Sequence, residues 1–136
     1  MSRAAVACLF ALAAAGCGGG DGDSQGAGAL AVDLTVTLRP KGPDGPAKTH
    51  EIKCERVGPE ASSTVCKGLA GVTPAQFEPV PANVACTEIY GGPGVARVQG
   101  TLNGKQVDAR FELTNGCEIE RWDRNRVLLD DAPSRG

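Results

Sequence analysis

Cysteine and histidine are the residues whose types could do chemistry in this chain, and their spacing narrows what that chemistry is. Six cysteines and one histidine, His50, occur among 136 residues. No two of Cys54, Cys66, Cys86 and Cys117 stand in CxxC spacing, and one histidine adds little to a ligand set, so a metal site is a weak reading and no cofactor is expected. No motif places a serine or cysteine nucleophile in relation to His50, so no enzyme activity is expected. Gly91-Gly92-Pro93-Gly94 is rich in glycine but lacks the lysine and the following helix start of a phosphate loop. Four cysteines in one exported domain imply two disulfides instead, with three possible connectivities. Sequential pairing closes the shortest loops, and the residues alone leave all three open.

One stretch stands out among these cysteines: Cys86-Thr87-Glu88-Ile89-Tyr90-Gly91-Gly92-Pro93. It starts at a half-cystine and stops at a proline, with charged, β-branched and aromatic side chains between. Such a stretch reads as a protein-recognition loop held toward solvent by the strands that follow it. Net charge is −2, lysines and arginines are scattered and aromatics are few, which excludes a nucleic-acid face.

The start of the chain is delivery rather than fold. Arg3 precedes an uncharged apolar run at 4–15, too short at about a dozen residues to span a bilayer but suited to a secretory signal peptide. The run ends in Ala13-Ala14-Ala15-Gly16-Cys17, which resembles a bacterial lipobox with Ala14 in place of the usual leucine. Residues 1–17 are thus expected to be a lipoprotein signal, with Cys17 lipidated. The protein would be secreted and anchored on the outer face of the cell membrane, touching the membrane through its lipid only. Residues 18–29 are a Gly-rich tether. Residues 30–136 form one domain with a modest core, in which cross-links matter.

Within that domain, 30–38 alternates apolar and polar residues as a half-buried strand. A turn-rich break at 40–46 leads to a second strand at 49–54, anchored by Ile52. Residues 66–72 read as helix or loop. Thr73, Pro74 and Gln76 suggest a helix start with a capping box, and Phe77 is expected to plug the core. Residues 84–90 are expected to be extended. Strands at 95–102 and 105–114 flank Asn103-Gly104, a strong hairpin signal. Residues 118–125 read as a short helix, on which Ile119 and Trp122 share a face and Trp122 covers the Cys117 end of its disulfide. Arg121, Arg124 and Arg126 alternate with acidic residues as a solvated face. A last short strand is expected at 127–129. The fold class is α+β, two layers, with an antiparallel sheet and short helices.

The order of these features, Cys54, Cys66, Cys86-x-x-x-Tyr90, the Asn-Gly hairpin, then Phe111-x-x-x-Asn115-Gly116-Cys117-Glu118, resembles the Streptomyces-type subtilisin inhibitor (SSI-like) family over roughly 30–129. The resemblance implies about five antiparallel strands with two short helices and the disulfides Cys54–Cys66 and Cys86–Cys117. It implies a substrate-like inhibitory loop with Glu88–Ile89 as the reactive bond, flanked by Cys86, Thr87 and Tyr90. The implied partner is a serine protease, and members are commonly homodimers packed sheet to sheet. Two departures stand out. Glu88 does not suit the apolar pocket of subtilisin or chymotrypsin and suits a glutamate-specific endopeptidase instead. The Gly91-Gly92 pair lengthens the loop by one residue and is expected to add freedom. The alternative is a non-inhibitory cell-envelope protein-binding module on the same scaffold.

Overall fold

Alternation along the first strand sets the sheet. In the computed structural model, which describes residues 31–130, β1 (Val32–Arg39) buries Val32, Leu34, Val36 and Leu38 on one face. The expected leader, Cys17 lipidation and tether lie outside the described residues. β2 (Lys48–Cys54), β3 (Val95–Leu102) and β4 (Lys105–Glu112) complete a four-stranded antiparallel sheet in the order β2-β1-β3-β4. The central strand β1 places Leu34 opposite Ile52 on one side and Val36 opposite Val98 on the other. The β3–β4 hairpin turns on Asn103-Gly104, with φ of 50° and 79°, the paired left-handed conformation of a two-residue turn. The sheet therefore has four strands among the described residues, not five.

The buried face of the sheet is covered by α1 (Thr64–Gly68), a 3-10 turn (Pro74–Phe77), α2 (Gly116–Arg124) and α3 (Arg126–Leu129). α1 starts two residues before the expected segment because Ser63 caps it, accepting from the Cys66 amide at 3.1 Å. The capping box at Thr73 does not form: Thr73 takes the cap position without a side-chain bond, and the segment stops at one 3-10 turn. Pro79 and Pro81 follow closely enough to prevent extension. Phe77 is buried as expected and meets Phe111 edge-on at 6.3 Å.

The expected strand at 127–129 is instead α3. Three apolar residues are too few to show a period, and the backbone is decided by Asn125. Its carbonyl accepts from the amides of Leu128 and Leu129 at 2.9 and 3.1 Å. Its side chain is 1% exposed and donates to the carbonyls of Gln76 and Arg121. Leu128 and Leu129 are thereby turned into the core.

Arg121 also departs from its expected place. It does not lie on a solvated face: it is 6% exposed. Its guanidinium donates to the carbonyls of Arg110 on β4 (2.6 Å) and Phe77 (2.7 Å), pairs with Glu118 (3.2 Å) and stacks 4.2 Å from the centroid of the Phe111 ring. One side chain thus joins α2, β4 and the 3-10 turn. Arg121→Met keeps the apolar stem but leaves two carbonyls and Glu118 without their donor. The expected cost is roughly 3–5 kcal/mol, the range for breaking a buried charge pair. Thermal denaturation followed by circular dichroism should show Tm lower by about 10 °C or more, whereas Arg124→Met, at an exposed position, should leave it nearly unchanged.

The opposite face of the sheet is polar. Arg97 on β3 donates to both carboxylate oxygens of Asp108 on β4 at 3.0 and 2.9 Å. That hydrogen bonding from Arg97, helped by its charge, holds the Asp108 carboxyl below its ordinary value. The contribution is present at neutral pH and disappears as pH falls through the lowered value; the exposure of both side chains to water by more than half keeps it small.

Candidate functional site

The stretch 86–92 leaves the body of the domain between a turn closed by Val84 N–H donating to the Pro81 carbonyl (3.1 Å) and the start of β3. It has no regular secondary structure. Its central feature is a tight turn in which Ile89 N–H donates to the Thr87 carbonyl at 2.9 Å. Among the described residues Asn103 alone of the non-glycines has positive φ, so Glu88 at the apex takes the common inverse form of this three-residue turn. The N–H of the Glu88–Ile89 peptide thus closes the bend.

Both flanks of the turn are fastened to the same short piece of scaffold, residues 113–119. On the N-terminal side, Cys86 is bonded to Cys117 in the first turn of α2, with Cα atoms 5.4 Å apart. The Thr87 carbonyl accepts a second bond, from Gly116 N–H at 2.9 Å. The Thr87 hydroxyl fills the space where Gly116 lacks a side chain: a Cβ built on Gly116 would collide with it. Asn115 caps α2 by accepting from the Glu118 amide at 3.0 Å, which fixes where Gly116 and Cys117 point.

On the C-terminal side, Gly91 N–H donates to the Leu113 carbonyl at 2.7 Å. A Cβ on Gly91 would stand 3.0 Å from Ile119 Cδ1 and 3.2 Å from Leu113 Cβ, so this glycine permits close approach. The freedom expected of the Gly91-Gly92 pair is therefore cut at its first member. Ile119 and Trp122 do share a face of α2, and that face receives 91–94: Ile119 under Gly91, Trp122 near Gly94. Trp122 does not cover the Cys117 disulfide. It lines a groove with Leu113 and Leu129, while Cys117 lines a separate one with Val84 and Arg124.

Between these clamps, Thr87, Glu88, Ile89 and Tyr90 are all exposed, Ile89 by 57% and Tyr90 by 67%. Ile89, Tyr90 and Val84, the last at 47%, are the exposed large apolar side chains among the described residues. Among the described residues no side chain pairs with the Glu88 carboxylate. The loop thus presents an unpaired carboxylate beside an aliphatic and an aromatic side chain, held at both flanks. Neither Gly116 nor the Leu113 carbonyl was readable from the sequence as a partner of the loop. Asn115-Gly116 stands there only within the stretch that carries the resemblance, and a carbonyl acceptor depends on the fold.

The other disulfide, Cys54–Cys66, ties the end of β2 to α1 within the core, with Cα atoms 5.8 Å apart. Among the described residues no cluster of histidine, cysteine, aspartate and glutamate could hold a metal ion, and no helix is long and apolar enough to cross a membrane. Compared with known protein families and with curated proteins, the chain matches none.

Proposed function

We propose that this domain is a serine protease inhibitor acting through a substrate-like loop, with Glu88–Ile89 as the reactive bond. The observation that carries the proposal is the fastening of both flanks of an exposed four-residue loop to 113–119. An inhibitor of this kind is attacked like a substrate. The nucleophilic serine adds to the Glu88 carbonyl carbon, and the Ile89 amine is the leaving group. In an ordinary substrate that amine diffuses away. Here Tyr90 leads directly into Gly91, which is hydrogen-bonded to Leu113 and packed on Ile119. The amine therefore stays beside the acyl group, and reformation of the peptide bond competes with water. Ordering of the loop before binding also removes part of the entropy cost of association.

Glu88 sets the class of target. Its carboxylate would be buried in the primary pocket of the protease, so that pocket must supply hydrogen-bond donors or positive charge. A glutamate-specific serine endopeptidase has the matching chemistry. The resemblance to subtilisin inhibitors supports the loop position, and two disulfides suit an oxidising compartment. Anchoring outside the membrane through Cys17 belongs to the same proposal. A sheet-to-sheet homodimer would cover the open face that carries the Arg97–Asp108 pair.

Titration of a glutamyl endopeptidase with the domain should give stoichiometric, one-to-one loss of activity, with weak effects on subtilisin, chymotrypsin and trypsin. No loss of activity with any of the four would favour the alternative, a non-inhibitory binding module of the cell envelope.

Gly116→Ala tests the clamp with little disturbance of the scaffold. The added methyl would collide with the Thr87 hydroxyl, so the Thr87 side chain must rotate off the clamp or the loop must shift. Inhibition should weaken by about tenfold or more, the effect of losing one or two kcal/mol of preorganisation. Tm should be unchanged or slightly higher, since alanine is the better helix former. Equal loss of Tm and inhibition would assign Gly116 to the fold alone.

A further inference from the structure

A four-residue loop does not by itself fill a stable interface. Specific protein–protein contacts bury about 800 Å² on each partner, and even a fully covered aromatic side chain supplies only about 150–250 Å² of that. We infer that the groove beside the C-terminal flank of the loop is a second contact site for the same protease, taking one aliphatic or aromatic side chain from the rim of its active site. This inference rests on the inhibitor reading.

The groove measures about 310 Å³ and is lined by Leu38, Pro40, Pro93, Leu113, Trp122 and Leu129. Its lining is mostly apolar, with Asp130 at one edge. Gly91, Gly92 and Gly94 line it too, so it begins immediately after Tyr90 and is continuous with the recognition loop. Gly92, at φ +129°, has open space where a side chain would be, which leaves the approach to the groove uncovered. A protease seated on Glu88–Ile89 and Tyr90 must place its surface over this position. The chemistry of the lining admits a leucine, methionine or phenylalanine side chain and rejects an acidic one, which would lose its water beside the Asp130 carboxylate. The groove on the other side, which includes Val84, Glu120 and Arg124, is half polar and carries no such preference.

The chain holds a single tryptophan, and it lines this groove. The full chain labelled with 5-fluorotryptophan should therefore give one fluorine resonance that reports Trp122 alone, whatever tryptophans the protease has. On formation of the stoichiometric complex with a glutamyl endopeptidase that resonance should shift. Gly94→Leu supplies a second arm. A Cβ at Gly94 meets Leu113, Trp122 and the Pro40 carbonyl at ordinary contact distances of 3.5–3.9 Å, so the larger side chain can enter and fill the groove. It should weaken inhibition about tenfold without moving the cleaved bond. Full inhibition with an unmoved resonance in the complex would overturn the groove inference and leave the inhibitor reading intact. No inhibition by the parent chain would overturn both. A resonance that shifts on removal of 131–136, with no protease present, would mean that the chain fills the groove itself, and would overturn the inference too.

Discussion

Glu88→Met is expected to raise affinity for subtilisin by about a hundredfold or more. An unpaired carboxylate buried in an apolar pocket costs several kcal/mol, and each 1.4 kcal/mol is tenfold in binding. Methionine removes that cost and adds apolar contact. The change should leave the scaffold as it is, because Glu88 is exposed and pairs with no side chain among the described residues. Tm should therefore stay within the narrow range of surface substitutions, about 0.5 kcal/mol in stability. Inhibition of a glutamyl endopeptidase should fall by a comparable factor, since its pocket donors would then face a thioether. Exchange of specificity at constant stability is what a rigid loop on an indifferent scaffold produces. A variant that gains nothing against subtilisin would show that the loop does not present this position to the protease.

The double variant Cys86→Ser, Cys117→Ser is expected to turn the inhibitor into a substrate. Among the described residues this disulfide is the one covalent link that spans the Glu88–Ile89 bond. Cleavage of the parent chain leaves the two halves joined; cleavage of the variant leaves them held by packing and by the hydrogen bonds at Thr87 and Gly91. The variant should lose about 3–4 kcal/mol of stability under the chain-entropy model and still fold, because Cys54–Cys66 and the sheet core do not depend on it. Inhibition should become transient, with activity returning as the chain is consumed. The matched control is Cys54→Ser, Cys66→Ser, whose disulfide lies in the core away from the loop. It should lose stability by a similar amount yet inhibit permanently below its Tm. Permanent inhibition by the first variant would remove the Cys86–Cys117 bond from the mechanism.

How legible the fold was depended on how many residues voted for each element. β1 offers four alternating apolar residues, and the β3–β4 hairpin adds an Asn-Gly turn, so periodicity and turn chemistry agreed. Residues 127–129 offered only three apolar residues, and a buried amide four positions before Leu129 decided their conformation. Arg121 stands in a run of alternating charges that reads as solvated; what buries it is a pair of carbonyls and a phenyl ring brought from 110, 77 and 111 by the fold. The two disulfides join the cysteines as the family resemblance implied. The loop itself was visible as a composition, but its clamps were not. Thr87 and Gly116 are 29 positions apart, and a glycine that makes room for a distant hydroxyl looks like any other turn glycine.

The most direct test of the reactive bond is to approach it from both sides. The intact domain and a sample cleaved at Glu88–Ile89 would each be incubated with a catalytic amount of glutamyl endopeptidase and followed by intact-mass spectrometry. Cleavage adds one water, and the halves remain joined through Cys86–Cys117. A substrate-like inhibitor should reach the same mixture of intact and cleaved chains from either start, with the cleaved sample losing water as the bond reforms. A cleaved sample that never regains the intact mass, while the intact one is digested to completion, would contradict the inhibitor reading.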